Sequence, residues 1–163
     1  MNSQKKTILA IVLLFSIAQT AIAQKVFNSE KFSYSFETTA KIDSYDTESD
    51  RVIGYENKDI AVDTEIFYLN EVASDYLNNL SKTTKVIASR LSLYRVKTAV
   101  RLWYVKYGYY VRATDIDGSQ ETPVFVVVMY NKEKGIIYES TIYCYKNNTE
   151  EGLRIAKSFK FLY

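Results

Sequence analysis

The sequence predicts an α+β fold: a twisted antiparallel sheet of about six to seven strands, with one long helix and a short C-terminal helix packed on it. Three observations carry that expectation. Val, Ile, Tyr, Phe and Thr fall in short alternating runs, the composition and period of strands. One stretch, from Ala73 to Leu91, changes to steps of three and four. Turn signals at Asn57-Lys58-Asp59, Tyr107-Gly108, Asp117-Gly118 and Lys132 to Gly135 are short enough to make the flanking strands antiparallel.

In order along the chain, Phe32-Ser33-Tyr34-Ser35-Phe36 alternates cleanly and reads as the first strand. Lys41 to Asp50 is polar and acidic, a loop. Arg51 to Glu56 and Ile60 to Leu69 form a hairpin, with Ile60, Val62, Thr64, Ile66 and Tyr68 on one face of its second arm and Ala61, Asp63, Glu65 and Phe67 on a wetter one. Ala73, Tyr76, Leu77, Leu80, Thr84, Ile87, Ala88 and Leu91 then make one stripe of a helix of about five turns. Asn70 is its expected N-cap, with Glu71 and Asp75 near the positive end of the dipole. Four strands follow: Arg95 to Lys106, Tyr109 to Ile116, Val124 to Tyr130 and Ile136 to Lys146. Val124 to Met129 is apolar on both sides, so it should be a central strand covered on both faces. Thr149, Glu150 and Glu151 open a short helix carrying Leu153, Ile155 and Ala156, and Phe159-Lys160-Phe161 is a terminal strand.

The N-terminus has the layout of a secretory signal peptide: Lys5 and Lys6, an apolar run from Ile8 to Ile17, and Ala21-Ile22-Ala23 before Gln24. The run is about ten residues, whereas a membrane span needs roughly 20. Cleavage between Ala23 and Gln24 leaves a single domain, residues 24–163, with chain enough for a proper core. No cysteine stands at the cleavage point, so the mature form is expected to be exported without a lipid anchor, periplasmic or extracellular, and not membrane-spanning. Of 21 basic residues, Lys5 and Lys6 leave with the leader, and the 19 that remain balance 19 acidic residues. They are scattered, with no stripe to follow a phosphate backbone, which argues against nucleic acid as a partner.

Several chemistries are excluded or weakened. The chain has no histidine, which removes Ser-His-Asp and Cys-His nucleophilic sites and His-ligated zinc. Its single cysteine, Cys144, lies in a strand-like setting and reads as a small buried hydrophobe or a partner in intermolecular pairing. The five glycines, Gly54, Gly108, Gly118, Gly135 and Gly152, are too dispersed for a phosphate loop, and no cofactor is implied. Asp115-Ile116-Asp117-Gly118 starts like a calcium loop, but Gln120 and Val126 stand where that pattern needs Gly and Glu. Asp43, Asp46, Glu48 and Asp50 read as a solvated loop, and no metal site is expected. Asp63 and Glu65, about 7 Å apart on one strand face, have a spacing within the range used by glycosidases, although alternating acids on a wet strand are common.

The positive signal is aromatic. Trp103, Tyr104, Tyr107, Tyr109 and Tyr110 crowd around one turn at Gly108. Alternation should send Trp103 and Tyr104 to opposite faces, and likewise Tyr109 and Tyr110, so that one side of the hairpin displays an aromatic platform able to stack on a ligand or a partner's surface. The competing reading is that tyrosine is simply good strand material.

The chain resembles the PsbP-like family, whose fold is shared with a small Ran-binding protein of yeast. The resemblance lies in Phe32-Ser33-Tyr34-Ser35-Phe36, in the Ile60 to Leu69 strand leading into a helix, in Lys106-Tyr107-Gly108-Tyr109-Tyr110, and in Ile155-Ala156-Lys157-Ser158-Phe159-Lys160. It departs from the family after the first strand, where a Pro and a Trp are frequent and Glu37-Thr38-Thr39-Ala40 stand here. The resemblance implies a non-enzymatic assembly or binding factor and assigns no site residues. The expected function is thus an exported soluble binding module for a protein or envelope component. The alternatives are a hydrolase working with carboxylates alone and a carrier of a small apolar ligand.

Overall fold

Strand β8, Gln120–Asn131, explains the architecture. Its residues Val124 to Met129 are at most 1% exposed although they alternate in direction. Val124, Val126 and Val128 enter one apolar cluster, and Phe125, Val127 and Met129 enter another on the opposite face. A strand with six consecutive apolar residues can exist in water only if both faces are covered, and burying each Val, Phe or Met side chain stabilises the fold by about 1.5–3 kcal/mol. The expectation of a doubly covered central strand therefore holds, and the α+β class with it.

The computed structural model describes residues 24–162 except Asp46 and Glu48. Residues 1–23, the expected leader with Ala23 of its expected cleavage site, lie outside the described residues. A seven-stranded sheet runs in the order β3-β4-β5-β9-β8-β7-β6, antiparallel throughout, where β3 is Asp43–Tyr45, β4 Val52–Glu56, β5 Ile60–Tyr68, β6 Val100–Arg101, β7 Gly108–Asp117 and β9 Ile136–Cys144. The β4–β5 turn is held by Asn57, whose Oδ1 accepts from the backbone N–H of Asp59 and of Ile60 at 2.8 and 2.9 Å. Asn131 does the same for the β8–β9 turn, accepting from Glu133 and Lys134 at 3.1 Å.

One face of this sheet carries helix α1, Leu80–Arg90, which buries Leu80, Thr84, Ile87 and Ala88 over β7 and β8. The other carries helix α2, Thr149–Ser158, and a second sheet of three strands in the order β1-β2-β10, where β1 is Lys25–Ser29, β2 Tyr34–Thr38 and β10 Lys160–Phe161. Tyr34, Phe36, Tyr138 and Phe159 fill the space between, with Tyr34 stacked on Phe159 at 5.6 Å. The buried Tyr34 hydroxyl donates to Thr64 Oγ1 at 2.9 Å, and that atom meets Ser140 Oγ at 2.8 Å. Gly152 lets α2 sit this close to the sheet, since a Cβ there would come within 2.1 Å of Cys144 Sγ.

Four expectations need correction. Lys41 to Asp50 is not all loop, since Asp43–Tyr45 pairs with β4 as the edge strand β3. The first strand is not part of the main sheet; it pairs with β1, whose residues Lys25 to Ser29 do not alternate, and with the C-terminal strand. The long helix is shorter than its periodicity suggests. Residues 69–79 form single turns, with Tyr76 N–H donating to Ala73 O and Asn78 N–H to Asp75 O, and Asn79 rather than Asn70 is the cap, accepting from Lys82 N–H at 3.0 Å. Adjacent Asn78 and Asn79 favour a cap over helix interior, and the Asn79 side chain sets the start. The stretch from Arg95 to Lys106 is mostly not strand. Ser92 and Arg95 have positive φ, and the chain meets β7 at separate points: the Tyr94–Thr114 bridge, the Lys97 N–H bond to Arg112 O, and the short β6 with the Leu102 N–H bond to Gly108 O beyond it.

Candidate functional site

The aromatic cluster is built on a loop rather than a two-residue turn. β6 pairs Val100 with Tyr110 and Arg101 with Tyr109, so residues 102–107 bridge the strands. Leu102 and Val105 are buried and pin the loop to the core. Leu102 N–H donates to Gly108 O at 3.0 Å, and a Cβ at Gly108 would stand 2.7 Å from Leu102 Cδ1, so the glycine makes room for that anchor. With the flanking residues turned inward, the two between them are driven outward: Trp103 is 87% exposed and Tyr104 66%. The expectation that these two point to opposite sheet faces is therefore incorrect, because they do not lie in a strand.

The other candidates divide. Tyr107 is exposed at the foot of the loop, tilted on Tyr130 at 6.1 Å, with the Lys106 ammonium 5.4 Å from its ring. Tyr109 is half-buried on the α1 side of the sheet. Tyr110 is 7% exposed, packs on Phe125 at 6.4 Å, and has its phenol pushed up by burial. It belongs to the core and leaves the candidate set. The reading of tyrosine as strand material holds there and at Tyr34, Tyr55 and Tyr138, all buried.

Beside the loop runs an open groove of about 580 Å³ between the N-terminal end of α1 and the β7–β8 edge. Arg101, Lys106, Lys132, Tyr107, Tyr109 and Tyr130 supply much of its wall. Sequence reasoning missed Arg101, Lys132 and Tyr130 because they come from separate segments whose approach depends on the β7–β8 register, in which Tyr109 faces Val128 and Gly108 faces Met129.

The two residues of the carboxylate pair sit in different surroundings. Asp63 is half-buried and accepts a hydrogen bond from the Tyr45 hydroxyl, while Glu65 is exposed and lies directly across from Glu139 in the β5–β9 register. Two other carboxylates are more enclosed. Glu139 accepts from the Tyr76 hydroxyl and pairs with Arg90 at 2.8 Å, which ties the 69–79 turns and α1 to the sheet. Burial pushes Glu139 above the usual carboxylate range against those two partners. Glu151, in the first turn of α2, accepts from Thr38 Oγ1 and Thr39 N–H at 2.6 Å and from Thr39 Oγ1 at 2.7 Å, and pairs with Arg154 at 3.1 Å. Burial alone would raise Glu151, but these hydrogen bonds outweigh it and hold the carboxyl below its ordinary value. Cys144 is buried, and burial pushes its thiol up to about 12, in keeping with a small core hydrophobe. Among the described residues no group of three or more Cys, Asp or Glu side chains is placed to hold a metal ion, and no helix is long and apolar enough to cross a membrane.

No protein-family model matches the chain, and neither does any curated protein. Solved structures do. The chain is similar to the Ran-binding protein Mog1p of Saccharomyces cerevisiae, with a TM-score of 0.58 at 7% identity over 85% of this chain and 95% of that one. A mutant of Mog1 gives a TM-score of 0.56 at 7% identity over 85% and 96%. The fold is therefore Mog1-like across nearly all of the described chain. At that identity the likeness extends to the fold alone.

Proposed function

We propose that this chain is an exported, soluble, non-catalytic binding module of the PsbP-like kind, which docks a protein or envelope component through the loop at residues 102–107. The observation that carries the reading is the presentation of Trp103, 87% exposed next to Tyr104, on a loop whose neighbours Leu102 and Val105 are buried. Leaving a Trp in water forgoes a large apolar burial, and a rigidly held aromatic of this kind is the usual anchor of a protein interface. The absence of histidine and the engagement of Asp63 by Tyr45 favour binding over hydrolysis. A neighbour of the same fold, Mog1p, is named as a Ran-binding protein, which supports a protein partner. The leader at Lys5 to Ala23 supports export. The test is crosslinking in native cells followed by purification of the mature form. A partner should co-purify with the wild type and be lost from Trp103→Ala/Tyr104→Ala; equal recovery from both refutes the loop.

A further inference from the structure

We infer that the groove between α1 and the loop receives an acidic segment of a partner protein. The inference rests on the docking role of the loop and adds the chemistry of what docks. Three cations reach the groove from three segments: Arg101 from β6, Lys106 from the loop and Lys132 from the β8–β9 turn. Among the described residues none of the three has an ion-pair partner; the five ion pairs all lie elsewhere. No carboxylate lines the groove. Arg101 Nη2 donates to the Lys106 carbonyl at 3.1 Å, which draws the guanidinium toward the loop, and the Lys106 ammonium lies over the Tyr107 ring. Leu80 and Ser81 bring the positive end of α1 to the same wall, and the first turn of that helix has no acidic residue to offset it. Everything charged that faces the groove is thus of one sign, in a chain whose mature form has equal numbers of acids and bases.

The rest of the wall selects among anions. Tyr107, Tyr109 and Tyr130 offer rings and phenolic donors, and Asn78 and Asn79 offer amides, a mixture suited to carboxylates spaced between apolar side chains. Trp103, exposed on the loop that carries Lys106 but outside the groove lining, supplies a separate apolar anchor. A polyanion backbone would instead call for a basic stripe extending beyond the groove, and the remaining bases are interspersed with acids. A planar lipid surface would not use the depth of the groove. Charge complementarity of this sort raises association rate and selects partners more than it adds raw affinity.

The test uses the mature chain, residues 24–163, and a short fluorescent peptide rich in Glu and Tyr, followed by anisotropy. Saturable binding is expected, weakened about tenfold or more by Arg101→Ala/Lys132→Ala, as for loss of charged partners, and unchanged by Lys41→Ala/Lys58→Ala, which removes two exposed cations elsewhere. Lys132→Glu, an exposed turn substitution, should weaken it further without moving the thermal midpoint. Inorganic phosphate and phosphatidylglycerol vesicles serve as competing probes. Absence of peptide binding, equal binding by the groove variants, or binding of phosphate or vesicles alone overturns the inference. If native crosslinking still loses its partner in Trp103→Ala/Tyr104→Ala while the peptide does not bind, the groove assignment fails and the loop stands. If the peptide binds the groove and crosslinking is unaffected by the loop variant, the loop fails and the acidic specificity of the groove stands.

Discussion

The two faces of β8 are closed in different ways. Phe125, Val127 and Met129 meet a second sheet, α2 and a set of stacked rings, so that Tyr34, Phe36, Tyr138 and Phe159 are all at most 1% exposed. Val124, Val126 and Val128 meet α1, the turns that precede it and the segment that follows it, with Leu93 buried among them, and this thinner cover leaves Glu65 on β5 and Tyr104 and Trp103 beyond β6 exposed. The polar groups follow the same division. On the closed face Thr64, Ser140 and the Tyr34 hydroxyl form a buried, mutually bonded chain, as enclosure requires. On the α1 face the groove cations Arg101, Lys106 and Lys132 have no ion-pair partner among the described residues. The closed face supplies stability, and the half-covered face leaves surface for a partner.

That contrast breaks first at Phe159. Phe159→Ala empties a site between Tyr34 and Phe36 that has no route to refill, and a loss of about 3–5 kcal/mol is expected in urea unfolding. Val86→Ala, on the exposed side of α1, should change stability by about 0.5 kcal/mol or less. Comparable losses at both positions would mean that the closed face has no privileged role.

The same division decides what could be read from the sequence. Strands buried on both faces or alternating strictly, such as Val124 to Met129 and Ile60 to Tyr68, were legible because burial alone sets their pattern. The stretches from Ala73 to Asn79 and from Arg95 to Lys106 were not, because their side chains respond to distant partners. Tyr76 bonds to Glu139, 63 residues away, which holds a turn where periodicity suggests helix. Aromatic crowding singled out five residues, of which Trp103, Tyr104 and Tyr107 are exposed and Tyr109 is half-buried, and Tyr110 was carried along with them because alternation cannot say which face is core. The cations of the groove carried no local signal, since Arg101 and Lys132 meet only through the β7–β8 register.

The two enclosed carboxylates sharpen the comparison through pH. Glu151 is held below its ordinary value in the fold, so its stabilising contribution is present above the unfolded-state pKa of about 4.3 and is lost as pH falls toward the folded value. Glu139 is pushed up, so the folded state takes its proton first; as pH falls through that raised value toward about 4.3, this group adds stability. Glu151→Gln should cost about 1–3 kcal/mol at neutral pH, by leaving the Thr38 and Thr39 donors poorly met, and should flatten the acid loss of stability. Glu139→Gln should do the opposite, removing a gain and steepening the decline. Urea midpoints measured from pH 7 downward decide between them, and parallel curves for the two variants would contradict the assigned directions.

The smallest effect on stability is expected where the effect on binding is largest. Trp103 and Tyr104 project from the loop, so truncating them removes little buried surface, and Trp103→Ala/Tyr104→Ala should shift stability by about 0.5 kcal/mol or less. Their exposure nonetheless places two aromatic rings where a partner can desolvate them, and such anchors commonly lose more than tenfold in affinity when truncated. A loop whose variant unfolds as readily as the wild type but no longer retains the crosslinked partner is a docking element. If the variant is instead markedly destabilised, the rings are packing on the protein itself, and the half-covered face is more closed than the exposure of Trp103 implies.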